Sequence, residues 1–308
     1  MRGYGETSLA SVWLPDESLS LLDVTRELET LLGTRFDPSD AQRVSGGSIN
    51  DAYRLESDRG PIFLKLNSAT HVDIFEAEVD GLHALREARA IDVPEVLAHG
   101  IAAGTAYLAL EWLNLSRSTG IAQTALGVAL ARQHRAVSEQ FGWHRDNYIG
   151  LTRQPNDSAN NWVAFYRDAR LGFQLRLAVD NGMPASIRRS TEQLLSRIGM
   201  FFTEEAVSPS LLHGDLWSGN WGVTADGRAC VFDPAVYCGD READLAMTRL
   251  FGGYGRDFYI AYEAEWPLSS GWERRVDLYN LYHLLNHFNL FGEGYLPQIV
   301  AALNRLTD

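Results

Sequence analysis

The sequence predicts an α+β fold in two lobes: a small N-terminal lobe with an antiparallel sheet and one key helix, and a larger, mainly helical C-terminal lobe. Three observations predict it. Short strand-like runs bounded by glycine and proline crowd the chain before Trp112. Apolar residues at helical spacing dominate after Trp112. A polar stretch from His213 to Asp233 breaks that helical texture and ends on another strand-like pair. The expected division is a tail at 1–17, an N-terminal lobe at 18–112 and a C-terminal lobe at 113–308.

The elements follow in order. Leu21, Leu22, Leu28, Leu31 and Leu32 repeat at helical spacing over 18–33, and Gly33 is a stop signal. Residues 41–55 read as strand, glycine turn (45–48), strand. Residues 61–66 form a short strand that carries Lys65. The key helix is 73–90, with Phe75, Val79, Leu82 and Leu85 on its apolar face. Two more strands are expected at 96–99 and 106–110, and Glu111 to Leu115 crosses to the second lobe. There the helices are 121–139, 161–181, 185–203, 241–251, 257–264 and 272–291, interrupted by a strand pair at 222–223 and 229–232.

Composition narrows the function classes. The chain has 308 residues, 45% of them apolar, with eight tryptophans, which is enough for a substantial core. A net charge of −13 argues against a sequence-independent grip on nucleic acid. It does not forbid a polyphosphate ligand, because a bound cation supplies local positive charge. The two cysteines, Cys230 and Cys238, form no CxxC pair, so neither a zinc ribbon nor a disulfide framework is expected, as in a reducing cytoplasm. Residues 1–16 lack the pattern of a secretory signal, and no apolar run is long enough to span a membrane.

The motif that carries chemistry is His213-Gly214-Asp215-Leu216-Trp217-Ser218-Gly219-Asn220 with Val231-Phe232-Asp233-Pro234 behind it. An Asp, an Asn five positions on and a second Asp after a short apolar run have the spacing of a phosphoryl-transfer site on a protein-kinase-like scaffold. Asp215 would take the proton of the attacking hydroxyl. Asn220 and Asp233 would hold Mg2+, a hard cation that accepts few protein ligands. His213 is read as packing support for the loop. Pro234 stands where a protein kinase shows Phe-Gly, which argues against a mobile activation loop. Lys65 would reach the phosphates of ATP, paired with Glu78 in preference to Glu76. Gly46, Gly47 and Ser48 lie where a phosphate-covering loop belongs, although glycine turns are common. Glu111, Trp112 and Leu113 offer main-chain groups to an adenine edge. Asp244 is read as an acceptor of hydrogen bonds from the catalytic loop, while Asp240 and Glu242 stay ambiguous. The series Tyr279, Tyr282, His283, His287 and Phe288 reads as core before substrate pocket.

Together these residues resemble the fructosamine kinase family, relatives of the aminoglycoside phosphotransferases and choline kinases. The densest match is Leu211 to Gly222, with Trp217 after the His-Gly-Asp-Leu core. It continues through 232–235, 240–247, 251–254, 278–282 and 285–292, and upstream through 75–78, 141–150, 154–156 and 162–165. The resemblance implies ATP-dependent phosphorylation of the 3-hydroxyl of ketoamines such as fructosamines or ribulosamines, after which the adduct breaks down and frees the amine. It implies that Trp217 lines the substrate site and that Glu111 and Leu113 bind adenine through main-chain groups; His287 is taken as a further candidate for the substrate site. Some members carry a regulatory cysteine in the glycine loop where this chain has Ser48. The alternatives are a kinase of another small alcohol or amino sugar, and a non-catalytic nucleotide-binding protein. No nucleic-acid or membrane partner is expected.

Overall fold

A computed structural model describes residues 17–44, 49–116, 120–202 and 207–307. The glycine-loop residues Gly46, Gly47 and Ser48 lie outside them. Two compact units divide the chain: the residues up to Val72 with Leu97–Trp112, and Asp73–Val96 with everything from Leu113 on.

The first unit is a sheet with one helix laid on it. Helix α1 (Glu17–Leu32) precedes strands β1 (Gln42–Arg43), β2 (Asp51–Leu55), β3 (Ile62–Ser68), β4 (Val96–Ala102) and β5 (Thr105–Glu111), in the spatial order β1-β2-β3-β5-β4. The β1–β2, β2–β3 and β3–β5 pairs are antiparallel. Alternation along β3 turns Ile62, Leu64 and Leu66 toward Leu21, Val24 and Leu28 of α1, forming a core with Leu55, Tyr107 and Ala109. Leu28 is fully buried, so truncating it to Ala removes about 2–5 kcal/mol of stability. Lys65 points to the opposite face of the same strand and is also buried, with Ala52 and Leu108 as its lateral neighbours.

The second unit contains α2 (Val72–Ala88) from Asp73 on, α3 (Gly120–Gln133), the hairpin β6 (Asn147–Ile149) and β7 (Thr152–Gln154), α4 (Trp162–Phe165), α5 (Gly172–Asp180) and α6 (Ala185–Arg197). After these come β8 (Ser210–Leu212), β9 (Trp221–Val223), β10 (Ala229–Val231) and β11 (Tyr237–Gly239). Helices α7 (Glu242–Leu250), α8 (Arg256–Glu265), α9 (Trp272–Phe291) and α10 (Leu296–Thr307) complete it. Helix α9 is the axis of the core: Leu278, Leu281, Leu284, Leu285 and Phe288 are buried, and α5, α7 and α10 pack around it. Among the described residues no helix is long and apolar enough to cross a membrane.

Four local expectations are corrected. The helix expected to reach residue 139 stops at Gln133, because Ser138 N donates to Pro209 O and Leu211 N to Ala136 O, drawing the chain out to pair beside β8. The helix expected over 161–181 begins where Asn161 caps Ala164 N, but widens to π geometry over Tyr166–Leu171. There the fully buried Arg170 sits over the Tyr237 ring and donates to Pro155 O and Asn156 Oδ1, so the wider turn coincides with a buried cation. The helix expected to reach 203 gives way at Ile198 to a 3-10 turn through Phe201. Helix α10 and the β6–β7 and β8–β11 ribbons were not anticipated; the ribbon strands are three residues each, too short to show a period.

Candidate active site

Strand pairing in the second unit brings two loops together. Strand β8 pairs with β11 (Leu212 opposite Tyr237), and β9 pairs with β10 (Trp221 opposite Val231). The loop His213–Asn220 leaves β8 and enters β9, while the loop Phe232–Val236 leaves β10 and enters β11. Each loop therefore starts and ends beside the other. Cross-loop hydrogen bonds close the gap: Ala235 N to His213 O (2.8 Å), Phe232 N to Asn220 O (3.0 Å) and His213 Nε2 to Phe232 O (3.0 Å).

Two backbone positions make this approach possible. Gly214 has φ +84°, and a Cβ there would stand 2.0 Å from the Ala235 carbonyl oxygen, so only glycine fits. Asp233 takes φ 56°, a left-handed conformation uncommon for a side-chain-bearing residue and a feature that concentrates at functional sites. It turns Asp233 outward, exposed, while its carbonyl faces the Asn220 amide at 3.4 Å.

Asp215, Asn220 and Asp233 thus share one place. Asn220 Nδ2 donates to Asp215 O (2.9 Å) and Oδ2 (3.3 Å) as well as to Asp233 O. Three acceptors fix the orientation of that amide, and no donor among the described residues reaches its Oδ1. That oxygen and the Asp233 carboxylate are hard donors of the type Mg2+ takes, so the residues present fit the metal. Burial pushes the Asp215 carboxyl up to about 7, helped by the neighbouring Asp233 and Asp244 charges and opposed by the Asn220 amide. A carboxyl near neutrality can accept a proton and pass it on.

The supports are specific. Asp244, at the start of α7, accepts from His213 N (2.7 Å, Oδ2) and Gly214 N (2.8 Å, Oδ1). His213 donates from Nε2 to a carbonyl and accepts Asp215 N–H at Nδ1 (3.3 Å), so its ring is neutral, and burial holds its pKa down. From the hairpin side, Asn147 Nδ2 donates to Val236 O (2.6 Å) and Gln154 Nε2 to Ala235 O (3.1 Å). The sequence reading assigned no role to these two amides; their signal is that they stand in the segments 141–150 and 154–156 that resemble the fructosamine kinases.

Trp217 lies over Gly219, where a Cβ would meet the indole at 2.2 Å, and sets its edge against Phe251 at 6.5 Å. The His287 ring lies 5.0 Å from that of Phe251, tilted by 54°, with its Nδ1 donating to His283 O (2.8 Å). Phe251 therefore links Trp217 to His287, a role that only tertiary structure reveals. Of the other candidates, Lys65 and Glu111 lie on β3 and β5 of the first unit. Trp112, also in that unit, is flanked by Phe63 at 6.4 Å and the Arg54 guanidinium at 5.2 Å. Glu78, buried on α2, and Leu113 belong to the second unit. Among the described residues no cluster of three His, Cys, Asp or Glu side chains forms a metal cage.

Comparison with known proteins now adds to the geometry. Residues 21–308 match the fructosamine kinase family model. A probable ketoamine kinase of Synechocystis is 42% identical over 287 residues, 92% of this chain and 95% of the relative. A chloroplastic protein-ribulosamine 3-kinase of Arabidopsis thaliana is 41% identical over 264 residues, 85% of this chain and 80% of the relative. The crystal structure of a protein from Thermobifida fusca, provisionally assigned as a fructosamine-3-kinase, superposes with a TM-score of 0.83 at 32% identity, covering 92% of this chain and 98% of that one.

Proposed function

The chain belongs to the fructosamine kinase family, and from that premise we propose that it transfers the γ-phosphoryl group of ATP to the 3-hydroxyl of a ketoamine, with Asp215 as the base. The observation that carries the reading is the contact of Asp215 with Asn220 beside Asp233, on two loops pinned by paired strands. Asp215 takes the proton of the 3-hydroxyl as the new O–P bond forms and the bond from the γ-phosphorus to the bridging oxygen breaks, leaving ADP. Asn220 holds the Asp215 carboxylate by donating to Oδ2. Asn220 Oδ1 and the Asp233 carboxylate would hold Mg2+, which supplies positive charge against the phosphate oxygens. Gly46, Gly47, Ser48, Lys65 and Glu78 are assigned to the nucleotide phosphates from their places in the sequence, and Glu111, Trp112 and Leu113 to the adenine through main-chain groups. Trp217 and His287, joined through Phe251, are assigned to the sugar side. The ketoamine sits on a small amine or on a protein, and the free thiols of Cys230 and Cys238 suit a reducing cytoplasm.

The test is a steady-state panel of ribulosamine, fructosamine, choline and kanamycin with ATP. Turnover confined to the ketoamines, with phosphate on the 3-oxygen, is the expected result. Turnover with choline or kanamycin alone would replace this reading with that of another small-alcohol kinase.

A further inference from the structure

Asp244 steadies the Asp215 loop through two successive main-chain amides, and its own carboxylate is gripped from outside that loop. His134, fully buried just beyond α3, places Nε2 at 3.1 Å from Asp244 Oδ2. Its Nδ1 lies 2.8 Å from the hydroxyl of Tyr262 on α8. Arg241 Nη1 reaches the same Tyr262 oxygen at 3.2 Å and also donates to Trp266 O at 2.9 Å. The guanidinium lies 4.0 Å over the Trp266 ring, so it is held on three sides.

The two ends of this hydrogen-bond chain have fixed directions. A guanidinium can only donate, so the Tyr262 hydroxyl accepts from Arg241. An ionised carboxylate can only accept, so His134 donates from Nε2 to Asp244 while its Nδ1 faces the Tyr262 hydroxyl. Burial pushes the Asp244 carboxyl up, but the His134 bond leads the opposing effects and leaves it below the usual carboxylate range. Helices α3 and α8 meet backbone to backbone at Gly127, where a Cβ would stand 2.3 Å from Phe258 O, and this contact keeps His134 and Tyr262 in register.

We propose that His134, oriented by Tyr262 and Arg241, is a positioning residue for phosphoryl transfer: it fixes the plane of the Asp244 carboxylate, so that the His213 and Gly214 amides, and with them Asp215, are held in line. This rests on the reading of Asp215 as the base. Without the Nε2 donor the carboxylate keeps only its two bonds to the loop and loses the one that ties it to the end of α3.

The experiment uses His134→Leu, His134→Gln, Tyr262→Phe and the double variant His134→Leu/Tyr262→Phe. Glutamine places an amide nitrogen close to where the imidazole Nε2 stands. His134→Leu should lower kcat about tenfold or more while KM for ATP and for the ketoamine stays within about twofold, and His134→Gln should recover most of it. Because Tyr262 acts only through His134, the double variant should match His134→Leu rather than multiply the two losses. A second readout needs no catalysis: amide hydrogen exchange at His213 and Gly214 in nucleotide-free protein should speed up in His134→Leu and stay slow in His134→Gln. Unchanged kcat and exchange in His134→Leu, or multiplied losses in the double variant, would overturn the proposal. If His134→Leu does not fold, Tyr262→Phe decides, and unchanged exchange at Gly214 there overturns it. A wild-type protein that turns over no ketoamine would refute the functional reading, while the exchange data would still decide the role of His134.

Discussion

Replacing Gly214 with Ala puts the nesting of the two loops under direct strain. The residue sits at φ +84°, where a side chain costs about 1–2 kcal/mol. The added Cβ would stand 2.0 Å from Ala235 O, so ordinary contact at 3.4 Å requires a shift of about 1.4 Å. That shift draws Ala235 away from two hydrogen bonds, its own N–H to His213 O (2.8 Å) and the one it accepts from Gln154 Nε2 (3.1 Å). At about 1 kcal/mol each, the total reaches roughly 3–4 kcal/mol. A displacement of that size at the neighbouring Asp215 should also cost about 10²-fold in kcat. Urea unfolding measures the first quantity and steady-state kinetics the second. A loss of stability below about 1 kcal/mol together with turnover within twofold of wild type would refute the reasoning.

Three further outcomes are expected. Asp215→Asn should leave nucleotide affinity near normal and lower kcat by about 10² or more, checked by equilibrium binding and single-turnover assays. Asp233→Ala should weaken binding of the magnesium–nucleotide complex, and an unchanged affinity by titration would remove Asp233 from the metal. Acid should destabilise the fold through His283, which is buried with no partner at Nδ1 among the described residues and whose pKa burial lowers to about 3. The unfolded chain binds that proton below about 6.5 and the folded chain does not until about 3, so stability falls as pH drops through this window, by about 2 kcal/mol between 6.5 and 5. His283→Leu should flatten that slope in urea unfolding at the two pH values.

Legibility in the sequence followed the length of each signal. The two-lobe α+β reading and the bounds of the longest helix, Trp272–Phe291, were readable because twenty residues give period and stops many chances to agree. Three-residue strands give none, so the ribbons that set the loops side by side were invisible apart from β9 and β10. The early end of α3 was hidden for a related reason: nothing local to Gln133 stops a helix, and pairing with a segment some seventy positions on does. The spacing of Asp215, Asn220 and Asp233 is local enough to read. The groups that brace their loops, Asp244, Asn147 and Gln154, come from distant stretches, and no single stretch reveals what those groups touch.

The connector between β10 and β11 is only the five residues Phe232 to Val236, anchored at both ends by paired strands. It has no slack in which a covalent mark could fold or unfold a regulatory arm.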